Sequence, residues 1–437
     1  MLDELRLEKI LDCIGSVFDN QYDGRCQDRC RYKLSDGGLG AYSVFYTQSA
    51  SFLEYQRSLE KRKAQNNARN IFSLEKIPTD THIRTMLDGI EAENLGVVYR
   101  HIINTALKQE ELRRKYQVRH EKKYYYLLAM DGTQYFSSEK ISCEQCKRTE
   151  RKGKISYSHS MIPPVLVHPK QTEVLSLEPE FIRPQDGDEK QDCESKAIKR
   201  WLKEKSLNYK LDNVIVLCDD LHSHQPQCEA VLARGWDFIF VCKPDSHKTL
   251  YEYLELTNFQ TLQKRHWNGK YGEIHTYRFA SDLPLRDSTD ALSVNWCELR
   301  ITREDTQELI YLNSFVTSLT LTLDNVVDIV RWGRCRWKIE NENNNTLKTK
   351  GHHLEHNYGH GSKGLSCLLV SLILLSFLTH SIFSLFDNAY QAIRADLVTR
   401  KAFFDNLRSI LIFNIFLSWQ HLLLFMIDAL EIRLDSS

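Results

Sequence analysis

From Gly364 to Phe386 the chain contains no Asp, Glu, Lys or Arg. As a helix, a run of that length reaches across a bilayer's hydrocarbon core, for which about 20 residues suffice. Only two surroundings tolerate a helix that is apolar on every side: lipid, or the interior of a protein large enough to enclose it. Three features favour the interior. Ser366, Ser371, Ser376, Thr379 and Ser381 recur through the run, the mean hydropathy of the chain is −0.44, and Lys and Arg are not concentrated on one flank, as they are where they set the orientation of a span. A second apolar stretch, Ser409 to Ile427, is interrupted by Asn414, Gln420 and His421. Residues 363–437 are therefore expected to form an apolar helical region with no membrane partner; a membrane-associated enzyme is the alternative.

The 437 residues are enough for several structural units at roughly 100–200 residues each. The opening Met1-Leu-Asp-Glu-Leu-Arg is charged where a secretion signal would be apolar, and twelve cysteines are scattered without a dense pattern. Both point to free thiols in a reducing cytosol. Residues 1–115 read as helical: Leu5, Ile10, Leu11, Ile14 and Phe18 approximate one helical stripe, ended by Asp23-Gly24. Asn67 to Leu74, the turn Ile77-Pro78 and a helix capped by Thr79 or Asp80 have the form helix, turn, helix. His82, Arg84 and Thr85 would then lie on the first turns of the second helix, where a recognition helix presents base-reading side chains. A plain helical hairpin is the alternative.

The period changes at Tyr124. Tyr-Tyr-Tyr-Leu-Leu-Ala-Met ends in Asp131-Gly132, Val214-Ile-Val-Leu-Cys ends in Asp219-Asp220, and a third apolar run covers Trp236 to Cys242. Buried strands alternating with helical connections such as Cys193 to Lys205 make an α/β pattern. Acids at the ends of neighbouring strands meet at one edge of such a sheet, where sites form. Between Asp245 and Glu308 strands and turns alternate, with Asn268-Gly269 and Tyr271-Gly272 as hairpin signals. Strand character resumes over Leu309 to Val316, followed by a helix from about Asp324. The expected order is a helical DNA-binding region (1–115), the first part of an α/β core (116–244), a β-rich insertion (245–308), the last core strand with the helix that carries a third acid (309–362), and the apolar helices (363–437).

Charge is balanced, 58 basic against 58 acidic residues, which alone argues against nucleic acid. Distribution argues otherwise, because Arg57–Arg69, Lys108–Lys123, Lys147–Lys154 and Arg331–Lys350 are all locally basic. Each could be a solvated face; four together, two of them beside the acids, suit phosphate contact.

The context of Glu340 is Arg334-Cys-Arg-Trp-Lys-Ile-Glu-Asn-Glu-Asn-Asn-Asn-Thr-Leu-Lys348. Over roughly 124–380 the chain resembles the DDE transposases of bacterial insertion sequences, in the group with an RNase H-like core, a β-strand insertion and a Tyr-x2-Arg-x3-Glu-x6-Lys signature. Arg336-x3-Glu340 fits that signature. Its Tyr position falls on Gly333, and Lys348 stands one residue too far along. The resemblance implies Asp131, Asp219 and Glu340 as catalytic and metal-binding carboxylates, and Mg²⁺ as cofactor, with Mn²⁺ able to substitute. It also implies Arg336 and Lys348 on DNA phosphates, unless Arg336 only forms a structural ion pair with Glu340, and Trp267 as a base-stacking aromatic unless that ring packs in a β core. Implied too are double-stranded DNA partners (terminal inverted repeats and target), a homodimer in the DNA complex and a nucleoid-associated, cytoplasmic location. The reaction implied is hydrolysis at the transposon end followed by attack of the freed 3′-OH on target DNA; an RNase H-like nuclease without strand transfer is the alternative. Asp220 and Glu342 remain competitors for Asp219 and Glu340.

Cys143-x2-Cys146, followed by His159 and His168, raises Zn²⁺ as a second metal, against reduced cysteines in a hairpin; Cys26-x3-Cys30 is a poorer candidate. His352, His353, His356 and His360 are expected to contact DNA or support the helix of Glu340 rather than bind metal.

Overall fold

The computed structural model describes residues 3–25, 30–59, 61–184 and 192–433. It is a mixed α/β architecture with N-terminal helices, a large central sheet and C-terminal helices.

The sheet is built outward from β2 (Lys123–Ala129), with β1 (Gln117–His120) in a hairpin against it. On one side β2 pairs in parallel with β9 (Val214–Cys218), and β9 in parallel with β10 (Asp237–Val241). Every residue of β9 is buried, as expected for a strand covered on both faces. On the other side β2 pairs antiparallel with β6 (Val165–Val167), which pairs antiparallel with β7 (Leu175–Ser176). Beyond β10 come β14 (Leu309–Thr317), β13 (Ser293–Arg303), β12 (Gly272–Pro284) and β11 (Gln260–Trp267), all antiparallel to their neighbours. The β-rich stretch after Asp245 thus lengthens the central sheet through β14. Its hairpin signal is real: Trp267 pairs with Gly272, and Gly269 sits at φ +95°, a conformation that only glycine adopts without strain.

A second sheet holds β3 (Thr133–Ser138), β4 (Lys147–Arg151), β5 (Lys154–Ile162) and β8 (Glu180–Ile182). Because β2 leads into β3 and β5 leads into β6, β3 and β5 form an extension that leaves the central sheet at Asp131-Gly132 on one arm and Pro163-Pro164 on the other.

The uncharged run becomes the helix Leu365–Phe386, with 94% of its most apolar window buried inside the protein. The N-terminal helix Leu34–Tyr46 packs along it. Its polar groups find internal partners. Tyr42 donates to Thr379 Oγ1 at 2.8 Å, Tyr99 donates to the Ser371 carbonyl at 2.7 Å, and His380 lies between the Tyr46 carbonyl (2.9 Å) and the Tyr390 hydroxyl (3.0 Å). Buried hydroxyls so satisfied carry little penalty; Thr379 meets Tyr42 from far away in the chain, whereas Ser376 bonds back to the Ile373 carbonyl of its own helix.

Candidate active site

Asp131 and Asp219 lie side by side because of strand register. Ala129 is opposite Leu217 in the parallel β2–β9 ladder, so the residues two positions on are level with each other. The Met130 N–H still donates to the Leu217 carbonyl at 2.9 Å, which fixes the backbone up to the first acid.

Glu340 arrives on the other wall. The helix Val326–Arg334 is pressed against β10 and β14 at Gly333: a Cβ there would stand 2.8 Å from Ile239 Cγ2 and 2.9 Å from Phe315 Cδ1. At that closeness no side chain fits at position 333. After Arg334 the backbone tightens, with N–H groups of Arg336, Lys338 and Ile339 bonding three residues back, and then widens into a π-helical turn over Ile339–Asn345. Such turns recur at functional sites. Two bonds hold this one: Ser176 donates to Asn343 Oδ1 at 2.7 Å, and Lys338 donates to the Gln171 carbonyl at 2.7 Å. Ion pairs from Arg336 to Glu340 at 2.6 Å and to Asp131 at 3.3 Å then bring the two acids together.

A fourth carboxylate, unremarked in the sequence, joins them. Glu194 opens the helix Glu194–Arg200 and lies against Gly132, where an added Cβ would be 2.0 Å from Glu194 Oε1. His222 is fully buried; its Nδ1 meets the Ser195 hydroxyl at 3.3 Å, while Nε2, 3.7 Å from Asp219 Oδ1 and 3.9 Å from Glu194 Oε2, has no hydrogen-bond partner. The missing side chain at position 132 was the one clue in the sequence to a neighbour there.

The electrostatics follow from this crowding. Burial, together with the charges of Asp219, Glu340 and Glu194, pushes the Asp131 carboxyl up to about 7, although Arg336 pulls the other way. Burial and the nearby Asp219 likewise raise Glu194. Burial lowers His222 and favours its neutral form, against the pull of Asp219. Among the described residues these acids are not one of the groups whose ligand atoms all lie within 4.8 Å of one another; what joins them is charge, with Arg336 shared by Asp131 and Glu340.

The competitors are placed differently. Asp219 Oδ1 accepts from the Leu221 N–H at 3.2 Å, so it also caps the short helix that follows. Asp220 turns away: it accepts from the Lys243 N–H at 2.6 Å and from the Ser246 hydroxyl, bracing the segment after β10. Glu342 lines a separate cleft with Gln48, Arg400 and Arg408. Lys348 is paired with Glu355 at 2.9 Å. Thr79 caps the helix Asp80–Leu87 as the sequence suggests, yet Arg84 reaches back to the Tyr358 carbonyl at 2.7 Å. Trp267 does not pack in a β core; at 64% exposure it stands in solvent at the end of β11.

The histidine expectation needs correcting. Residues 350–364 are not helical, and of the four histidines expected not to bind metal, His360 lies in a group that could hold an ion. His352 is buried against Gln48 at 3.0 Å. His360 instead meets the cysteine pair: Cys146 Sγ is 3.4 Å from both His159 Nε2 and His360 Nε2, and Cys143 Sγ is 3.4 Å from His159 Nε2 and 3.8 Å from Cys146 Sγ. These four ligand atoms, all within 4.8 Å of one another, could hold a metal ion. His168 is not among them; its Nδ1 accepts from the Lys170 N–H. Cys26 lies outside the described residues.

No protein-family model matches the chain, and no curated protein matches it.

Proposed function

We propose that the protein is a DDE-type DNA transposase that cleaves transposon ends and joins the freed 3′-OH to target DNA. The observation that carries the reading is Arg336 bridging Asp131 and Glu340 while strand register sets Asp219 beside Asp131. The order β7-β6-β2-β9-β10, with the first three antiparallel and the last two parallel to β2, supports an RNase H-like core beneath it.

The residues suit the divalent cation this chemistry calls for. Asp131, Asp219, Glu340 and Glu194 offer only oxygen, the donor type that Mg²⁺ takes; burial first, and the neighbouring acids second, raise Asp131 and Glu194. When bound, Mg²⁺ supplies charge for the attacking and leaving oxygens of an in-line displacement at phosphorus. The chain does the rest. Asp131 and Asp219 are fixed by a rigid parallel ladder, whereas Glu340, half exposed, reaches in from the helical wall. Arg336 holds Asp131 and Glu340 together, and its guanidinium is suited to a DNA phosphate as the acids take up metal. His222, neutral and fully buried, fills the space behind Asp219 and Glu194. Hydrolysis and strand transfer are both in-line displacements, so one carboxylate cluster serves both. Lys348 would exchange Glu355 for a phosphate, and exposed Trp267 would stack an unpaired base. Two DNA ends must meet, which calls for a homodimer on DNA.

The test incubates purified protein with duplexes bearing the DNA that flanks its own gene, a target plasmid and Mg²⁺. Nicked ends and end–target joints are expected, and Asp131→Ala, Asp219→Ala and Glu340→Ala should each abolish both. Cleavage that persists in all three variants would defeat the assignment, and cleavage without joints would indicate a nuclease.

A further inference from the structure

We infer that Cys143, Cys146, His159 and His360 together form a structural zinc site that fastens the extension following Asp131 to the segment following Glu340. Zinc prefers a tetrahedron with Zn–S of about 2.3 Å and Zn–N of about 2.0–2.1 Å, which makes the S···S edge about 3.8 Å and the S···N edge about 3.6 Å. The S···S distance here is 3.8 Å and the three S···N contacts are 3.4 Å each. Two thiols and two imidazoles are a donor set for zinc rather than for magnesium or calcium. Four protein ligands leave no position for substrate, which marks a structural centre.

The surroundings are built for it. Cys146, His159 and His360 are buried. The Cys143 N–H points at Cys146 Sγ, 3.4 Å away, in the backbone-to-sulfur contact that supports a bound thiolate. His159 stacks on Tyr135, and His360 packs on Phe136, so both rings are held in place by β3. His360 turns Nε2 toward the cysteine pair, 3.4 Å from Cys146 Sγ. On binding, Cys143 and Cys146 lose their thiol protons to solvent and the imidazoles coordinate in neutral form.

The architectural consequence follows from chain order. Cys143 and Cys146 lie in the β3–β4 connection, and β3 starts two residues after Asp131. His360 lies in the segment that leaves the Glu340 helix, which Asp88 also grips through the Ser362 and Lys363 N–H groups at 2.9 Å each. Zinc would join these two limbs behind the carboxylate cluster without touching it. The site stands on its own residues and does not depend on the transposase reading.

The test measures bound zinc in the full-length protein purified under reducing conditions, together with the visible spectrum after exchange to Co²⁺. One zinc per chain and the intense absorption of tetrahedral thiolate-bound cobalt are expected. Cys146→Ser and His360→Ala should lose the metal, while Cys143→His, which keeps a ligand, should retain it with a shifted cobalt spectrum. Cys367→Ser and Asp131→Ala should keep a full complement, which separates this site from the carboxylates. Folded wild-type protein that arrives without zinc and takes up neither added Zn²⁺ nor Co²⁺ would overturn the inference. So would His360→Ala with unchanged metal content and cobalt spectrum.

Discussion

Asp131→Asn should stabilise the metal-free protein while abolishing its chemistry. The Asp131 carboxyl, ordinarily near 3.8, is raised to about 7 by burial and by Asp219, Glu340 and Glu194. At about 1.4 kcal/mol per pH unit, ionising it in the folded protein costs on the order of 4 kcal/mol. The sign is set by linkage. The folded state holds this proton more tightly than the unfolded state, so the associated stability is complete below about 3.8 and is lost as pH rises to about 7. Asparagine imitates the protonated form and does not titrate. In EDTA, urea unfolding should find the variant more stable than wild type by about 4 kcal/mol near pH 8, and by about half as much near pH 5.5. Mg²⁺ should close the gap near pH 8 by stabilising wild type alone, because a ligand of the native state raises its stability by mass action. Equal stabilities in EDTA near pH 8, or a gap that does not change with pH, would refute the electrostatic account. Equal stabilisation of both proteins by Mg²⁺ would separate Asp131 from the metal.

Three further perturbations probe the site and its scaffold. In Gly132→Ala the new methyl group would meet Glu194 Oε1 at 2.0 Å and displace that carboxylate; a misplacement near 1 Å can cost on the order of 100-fold in rate, and end cleavage measured at saturating Mg²⁺ should fall accordingly with the fold retained by circular dichroism. Trp267→Ala removes a ring that is 64% exposed, so urea stability should stay within about 0.5 kcal/mol; if the ring stacks a base, binding to DNA ends carrying an unpaired nucleotide should weaken by about 1–3 kcal/mol in gel-shift titration, and unchanged binding would remove that role. Tyr42→Phe removes the 2.8 Å bond to the buried Thr379 hydroxyl, which keeps its own bond to the Leu375 carbonyl, and should cost about 0.5–1.5 kcal/mol in urea unfolding; a neutral result would mean that this bond does not anchor the long apolar helix.

How much of this was legible depends on how local each signal is. The strands before Asp131 and Asp219 are short apolar runs, and a run plus the residue after it is enough to set a carboxylate at a sheet edge. The Arg336–Glu340 pair needed only i and i+4 spacing, which survived even though the helix widens into a π turn around Glu340. Its place at the strand end favours Asp219 over Asp220, but what holds Asp220 away was beyond the sequence, because Lys243 and Ser246 lie on another strand's exit loop. The same holds for the insertion, whose strands alternate visibly but whose attachment to the main sheet through β14 rests on pairing between distant segments. Gly333 ran the other way: as a departure from a signature it was a blemish, and as a contact with Ile239 and Phe315 it is the reason the helix can lie so close to the sheet.

The cysteine–histidine cluster shows why spacing alone undervalues a composite site. One Cys-x2-Cys pair is weak evidence, since a metal needs four donors and the sequence supplies obvious neighbours for only two or three. The missing donor, His360, lies in a histidine-rich segment that invites a helical reading, and Gly359 and Gly361 beside it are the local hint against one. In the structure Gly361 takes φ +67°, and a Cβ there would stand 2.5 Å from Asp88 Oδ1. Asp88 can therefore close on the backbone of 362–365 and turn His360 inward toward Cys146. A side chain at 361 should thus loosen the Asp88 clasp and release His360 without touching any ligand. Gly361→Val is expected to weaken zinc retention against a chelator while sparing Cys143, Cys146 and His159; full retention would mean that the clasp does not set the ring.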